Sequence, residues 1–100
     1  MKRYTLYIDT TGHNKIKVEI KGLNKEASKT IKSKAQVVLV LIIELLNQHN
    51  ISLKDLKEIE VNTSPGSFVG VRIGMTVANT LGYVFSIPVN KKKCVTLASY

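Results

Sequence analysis

Polar and apolar positions alternate through the first third of the chain. Residues 3–9 alternate and are rich in Tyr, Thr, Leu and Ile, which predicts a strand. Thr10-Thr11-Gly12-His13-Asn14 reads as a turn. Residues 15–21 alternate strictly, placing Ile16, Val18 and Ile20 on one face and four lysine or glutamate positions on the other, a strand with one wet face. Residues 27–32 make a less marked third strand. The pattern then changes. Ala35 to Gln48 has the length and content of a helix, and from Val37 to Leu46 only Glu44 is polar, so this helix is apolar nearly all round and calls for cover on more than one side. Ser52 to Leu56 reads as a short capped turn and residues 58–62 as a further strand. A second helix opens after Ser64-Pro65-Gly66-Ser67 and runs to Phe85. Val69, Ile73, Val77, Leu81 and Phe85 recur every four residues along it and predict its core stripe. Ile87-Pro88-Val89-Asn90 is a last strand begun by proline, Lys91 to Lys93 a basic loop, and Val95 to Tyr100 a final partial helix.

The order is an antiparallel three-strand meander, helix, strand, helix, strand. The last two strands are reached by helical crossovers and run parallel to the first. This predicts an α/β fold over residues 1–100: a single actin-like, ribonuclease H-like lobe with a five-stranded mixed sheet and two main helices. The second helix has another four-residue stripe, Gly70, Gly74, Ala78 and Gly82. Glycine costs about 1 kcal/mol relative to alanine inside a helix, so three on one stripe predict a backbone packed very close.

Charge and composition narrow the function. The net charge is +8, unevenly placed: +6 over residues 1–34, −1 over 35–90 and +3 from the three lysines 91–93. Such a surface suits a polyanion such as RNA, although only two of the fifteen cations are arginine, the residue that base and bidentate phosphate recognition favours. The one cysteine, Cys94, excludes an internal disulfide and fits a reducing compartment. The longest apolar run, Val37 to Ile43, is far short of the roughly 20 residues of a membrane span, and no signal peptide is legible, so the expectation is a cytoplasmic protein without membrane contact. His13 falls in a turn and His49 at a helix C-terminus, with no metal-ligand spacing, and no nucleophile–base pair is apparent. No catalytic residue and no metal site are predicted.

The stretch Ser64-Pro65-Gly66-Ser67-Phe68-Val69-Gly70-Val71-Arg72-Ile73-Gly74 resembles the Gly-Pro-Gly-Ser-Phe-Thr-Gly-Leu-Arg-Ile-Gly signature of the TsaB (YeaZ) family, with Ser64, Val69 and Val71 in place of its Gly, Thr and Leu. The opening strand ending in Ile8-Asp9-Thr10-Thr11, the helix ending in Leu45-Leu46 and the closing Ile87-Pro88-Val89 are similar in place and order. The resemblance covers the family's first lobe only. It implies a non-catalytic subunit in tRNA threonylcarbamoyladenosine synthesis, working with a TsaD-type catalytic subunit and a TsaE-type ATPase. It also implies docking through the helices, homodimers through much the same surface, and no cofactor beyond ATP or ADP at a partner interface. The interface is expected at Val38, Leu41, Ile42 and Leu45 of the first helix and Gly70, Arg72, Gly74, Met75, Ala78 and Gly82 of the second. A nucleotide or anion loop is expected at Asp9, Thr10, Thr11, Ser64, Gly66 and Ser67. The alternative is a stand-alone homo-oligomeric lobe binding a nucleotide or phosphorylated ligand through those loops; a third is a weak RNA-binding module using the lysine-rich first third.

Overall fold

The structure, a computed structural model, describes residues 3–22, 25–64, 66 and 68–90. Cys94, Ser67, the basic loop and the final partial helix lie outside the described residues. Three strands, β1 (Tyr4–Gly12), β2 (Lys15–Lys21) and β3 (Glu26–Ile31), form the meander. A 3-10 turn, Ala35–Val37, leads into α1 (Val38–Gln48); a second, Leu53–Asp55, leads into β4 (Leu56–Val61), followed by α2 (Phe68–Phe85). The sheet order is β3-β2-β1-β4, with β1 antiparallel to β2 and parallel to β4. Beyond it, Val89 meets Ile59 in a single parallel bridge. The Ile59 N–H donates to Pro88 O at 3.0 Å and the Asn90 N–H to Ile59 O at 2.8 Å. The predicted fifth strand is therefore one bridge within the described residues. Pro88 brings no N–H, and Asn90 turns away at a φ of 50°.

β1 is longer than predicted. It continues through Thr10, Thr11 and Gly12, with an irregular register between Asp9 and Gly12, and only His13 and Asn14 make the turn. Asn14 holds a φ of 51° there, a left-handed conformation that asparagine tolerates.

One face of the sheet is apolar. Leu6, Ile8, Ile16, Val18, Ile20, Ile59 and Val61 are buried on it. α1 covers β2 and β3, and α2 covers β1 and β4. The opposite face carries Thr5, Tyr7, Asp9, Lys17, Glu19, Lys21 and Glu60 and bears no helix among the described residues. The register pairs Val18 with Lys29, turning this lysine of strand β3 toward the helical side, where its Nζ lies 3.4 Å from Glu44 Oε2 on α1. His49 is the C-cap of α1, and Lys25 Nζ donates to its carbonyl at 3.0 Å. The second 3-10 turn has a capping box: Ser52 Oγ accepts from the Lys54 N–H and Asp55 Oδ2 from the Ser52 N–H. No helix among the described residues is long and apolar enough to cross a membrane.

Candidate functional site

The contact between β1 and α2 sets which way α2 faces. Period-two alternation carries Thr10 inward behind Leu6 and Ile8, and it is 0% exposed. Its hydroxyl donates to Gly70 O on the first turn of α2, at 2.6 Å. Gly74 lies over the same hydroxyl, and a Cβ there would collide with Thr10 Oγ1. One turn on, Ala78 is fully buried. At Gly82 a Cβ would come within 2.7 Å of both Ile87 O and Val89 Cγ2. The stripe thus meets a backbone at Gly82, as its spacing predicts, and a threonine side chain at Gly74, and both belong to the same chain.

The expected interface needs correction accordingly. Gly70, Gly74, Met75, Ala78 and Gly82 are buried beneath α2, and Val38, Leu41, Ile42 and Leu45 in the core beneath α1. Of the ten residues only Arg72 is exposed. The predicted core stripe is likewise displaced outward. Leu81 is buried, Ile73, Val77 and Phe85 are half-buried, and Val69 is 59% exposed.

Large apolar side chains instead line the outside of both helices. Leu39, Val40 and Ile43 are exposed on α1, and Val69, Val84 and Tyr83 on α2. Glu44 ties one flank of α1 to β3, so Leu39 and Ile43, on the other flank, lie toward α2. Gly82 packs on Ile87 and Val89, beyond β4, so the opposite flank of α2, with Ile73, Val77 and Val84, lies toward α1. Together these residues form one apolar band rather than scattered exposed side chains. A helical wheel centred on the glycine stripe would have found it.

The loops form a separate, polar cluster. Asp9 Oδ1 accepts from the Thr11 N–H at 3.0 Å and the Thr11 hydroxyl at 2.7 Å. Asn62 Oδ1 accepts from the Ser64 N–H at 2.9 Å. Gly66 sits against the Thr11 carbonyl, where any Cβ would lie 2.5 Å from that oxygen. The structure therefore gathers Asp9, Thr11, Ser64 and Gly66 at one end of the sheet, while Thr10 points into the core. Burial pushes the Asp9 carboxyl up, but the Thr11 hydroxyl and N–H, the Asn62 side chain and the Lys17 charge together hold it below its usual value. Burial, then Asp9 itself, pushes the Tyr7 phenol up. No group of three His, Cys, Asp or Glu able to hold a metal occurs among the described residues. Asn90, unmarked by any motif, pairs its amide with both the N–H and the carbonyl of Val61, at 2.8 and 3.1 Å, completing the end of β4 in place of a longer fifth strand.

A family model described as TsaD: tRNA N6-adenosine threonylcarbamoyltransferase matches residues 24–91. The tRNA threonylcarbamoyladenosine biosynthesis protein TsaB of Bacillus subtilis (strain 168) is 46% identical over 46 residues, 46% of this chain and 20% of that protein. The protein of the same name from Buchnera aphidicola subsp. Schizaphis graminum (strain Sg) is 31% identical over 91 residues, 89% of this chain and 43% of its own length. The solved structure of YeaZ from Pseudomonas aeruginosa superposes with a TM-score of 0.80 at 26% identity, over 89% of this chain and 42% of that one. A second structure, titled as similar to peptidase YEAZ from Pseudomonas aeruginosa, gives 0.81 at the same identity and coverage. The chain spans less than half the length of each of these proteins.

Proposed function

We propose a role for this chain on the premise that it belongs to the family of the TsaD: tRNA N6-adenosine threonylcarbamoyltransferase model and is TsaB- or YeaZ-like within it. The role is that of a non-catalytic subunit in tRNA threonylcarbamoyladenosine biosynthesis. It docks through its two helices on a TsaD-type catalytic partner, alongside a TsaE-type ATPase, and biases the geometry of the partner's active site. In this reading ATP or ADP belongs at the partner interface.

The observation that carries it is the apolar band of Leu39, Val40, Ile43, Val69 and Val84. Burying an aliphatic side chain completely is worth about 1.5–3 kcal/mol, so covering five that are half-covered already supplies roughly 4–7 kcal/mol. A symmetric dimer counts the band twice, enough to offset an association cost of about 4 kcal/mol or more, so the free chain pairs with itself through the same band. The test is co-purification with a TsaD-type subunit. Ile43→Asp/Val84→Asp should keep its far-UV circular dichroism and lose co-elution. A folded double variant that still co-elutes would overturn the docking surface.

A further inference from the structure

The band does not account for the cations at the loop end of the sheet. The register pairs Gly12 with Lys15, Asp9 with Lys17 and Lys17 with Thr30. Continued one step past Ile16 and Ile31, it sets Lys15 beside Lys32 on the face opposite α1 and α2. Lys34 follows as N-cap of the 3-10 turn Ala35–Val37 and, with Gly12, Asn14 and Gln36, lines a recess of about 250 Å³. Four lysines thus surround one corner.

Two lysines elsewhere among the described residues have acidic partners. Lys21 lies 3.9 Å from Glu19 and Lys29 pairs with Glu44. Among the described residues Lys15, Lys32 and Lys34 have no ion pair, and no acid stands in the first turn of the 3-10 turn, α1 or α2. Asp9 is the acid beside Lys17, and its Oδ1 already accepts two hydrogen bonds from Thr11. Like charges facing each other across strands are destabilising. A corner that holds three lysines without an ion pair, with Lys17 beside them opposite Asp9, keeps a net positive charge and is complementary to an external polyanion.

We propose that Lys15, Lys17, Lys32 and Lys34 contact the phosphate backbone of RNA, namely the tRNA on which the assembly acts; the choice of tRNA rests on the function proposed above. Lysine meets phosphate as a point charge, without the fork that arginine uses to read bases, so the contact positions the RNA and does not select its sequence. The recess reaches the apolar band at Val69, so RNA on the lysines and a protein on the band would lie side by side.

The test is a titration of fluorescent unmodified tRNA transcript with the chain between 50 and 200 mM salt. Four phosphate contacts predict a slope of log K against log salt of roughly −3. Lys15→Gln/Lys17→Gln/Lys32→Gln/Lys34→Gln, checked for fold by circular dichroism, should bring the slope close to zero and lower affinity at 50 mM salt at least tenfold. Lys54→Gln/Lys57→Gln should change neither. No binding by the unaltered chain, a quadruple variant that binds equally well, or an equal loss in the control pair would each overturn the proposal. So would lysine-dependent binding of inorganic phosphate or ATP without binding of tRNA, which would assign the corner to a small anion. Lysine-dependent tRNA binding with no docking on the TsaD-type subunit would sink the docking reading alone.

Discussion

The two sides of α2 differ in how closely they let the helix backbone approach a neighbour. Its inner side sets Gly70, Gly74, Ala78 and Gly82 on Thr10, Ile87 and Val89, between the larger buried Val71, Met75 and Leu81; its outer side carries Val69, Tyr83 and Val84 in solvent. Small residues are inside because the helix approaches β1 so closely that a threonine hydroxyl reaches a helix carbonyl at 2.6 Å. Only at the points of closest approach is a larger residue excluded, because a Cβ at Gly74 or Gly82 has no room. The inner side therefore governs whether the chain folds, and the outer side carries the surface through which docking is proposed.

The harshest way to break this division is Gly74→Leu. Overpacking costs about 1–3 kcal/mol, and here the branched side chain also displaces a buried hydrogen bond. At about 3 kcal/mol the melting temperature falls by roughly 12–24 °C. A variant that melts like the parent would show that the stripe is not packed on β1. Thr10→Val separates the hydroxyl from the shape: it deletes the bond to Gly70 O at nearly constant volume and should cost about 1 kcal/mol, or about 4–8 °C. An unchanged melt would remove that hydrogen bond from the reasons for the close approach.

A subtler probe is pH. The Asp9 carboxyl is held below its ordinary value. It therefore adds stability above its unfolded pKa of about 3.9 and loses that stability as pH falls through the lower, folded value. Asp9→Asn should flatten the stability profile below about pH 4. An acid limb of undiminished steepness would place the sensitivity in another carboxylate. The smallest effect on stability belongs to the outer side: Val40→Ser/Val84→Ser should leave ΔG of unfolding within about 0.5 kcal/mol while shifting a light-scattering mass toward one chain. A melt several degrees lower would show that the band is part of the core.

Most of the fold is legible in the sequence because each strand obeys its period. Residues 15–21 alternate without interruption and form β2 at those limits. The Ser52 cap is equally plain from its residue type. The orientation of α2 is not, because two four-residue stripes compete on it and size favours the wrong one. The deciding residue lies 60 positions away, in β1. Reading Leu6, Ile8 and Thr10 as one inward series would have placed a polar group under the helix and called for glycine above it. The loop cluster is half legible. Asp9 and Thr11 meet because they are two apart, whereas the meeting of Gly66 with Thr11 depends on the crossover through β4.

The pair formed by Lys29 and Glu44 has a consequence beyond its modest energy. β3 is an outer strand of the sheet among the described residues, and its outer side offers backbone donors and acceptors to any other extended chain. Ala27 and Ile31 alone would leave that side apolar enough for another chain to add to it. A lysine turned inward between them charges the margin, and a newcomer could not cover it without stripping water from an ammonium group. Glu44 holds that charge in place from above. The pair thereby works against strand addition and fibril growth along this margin.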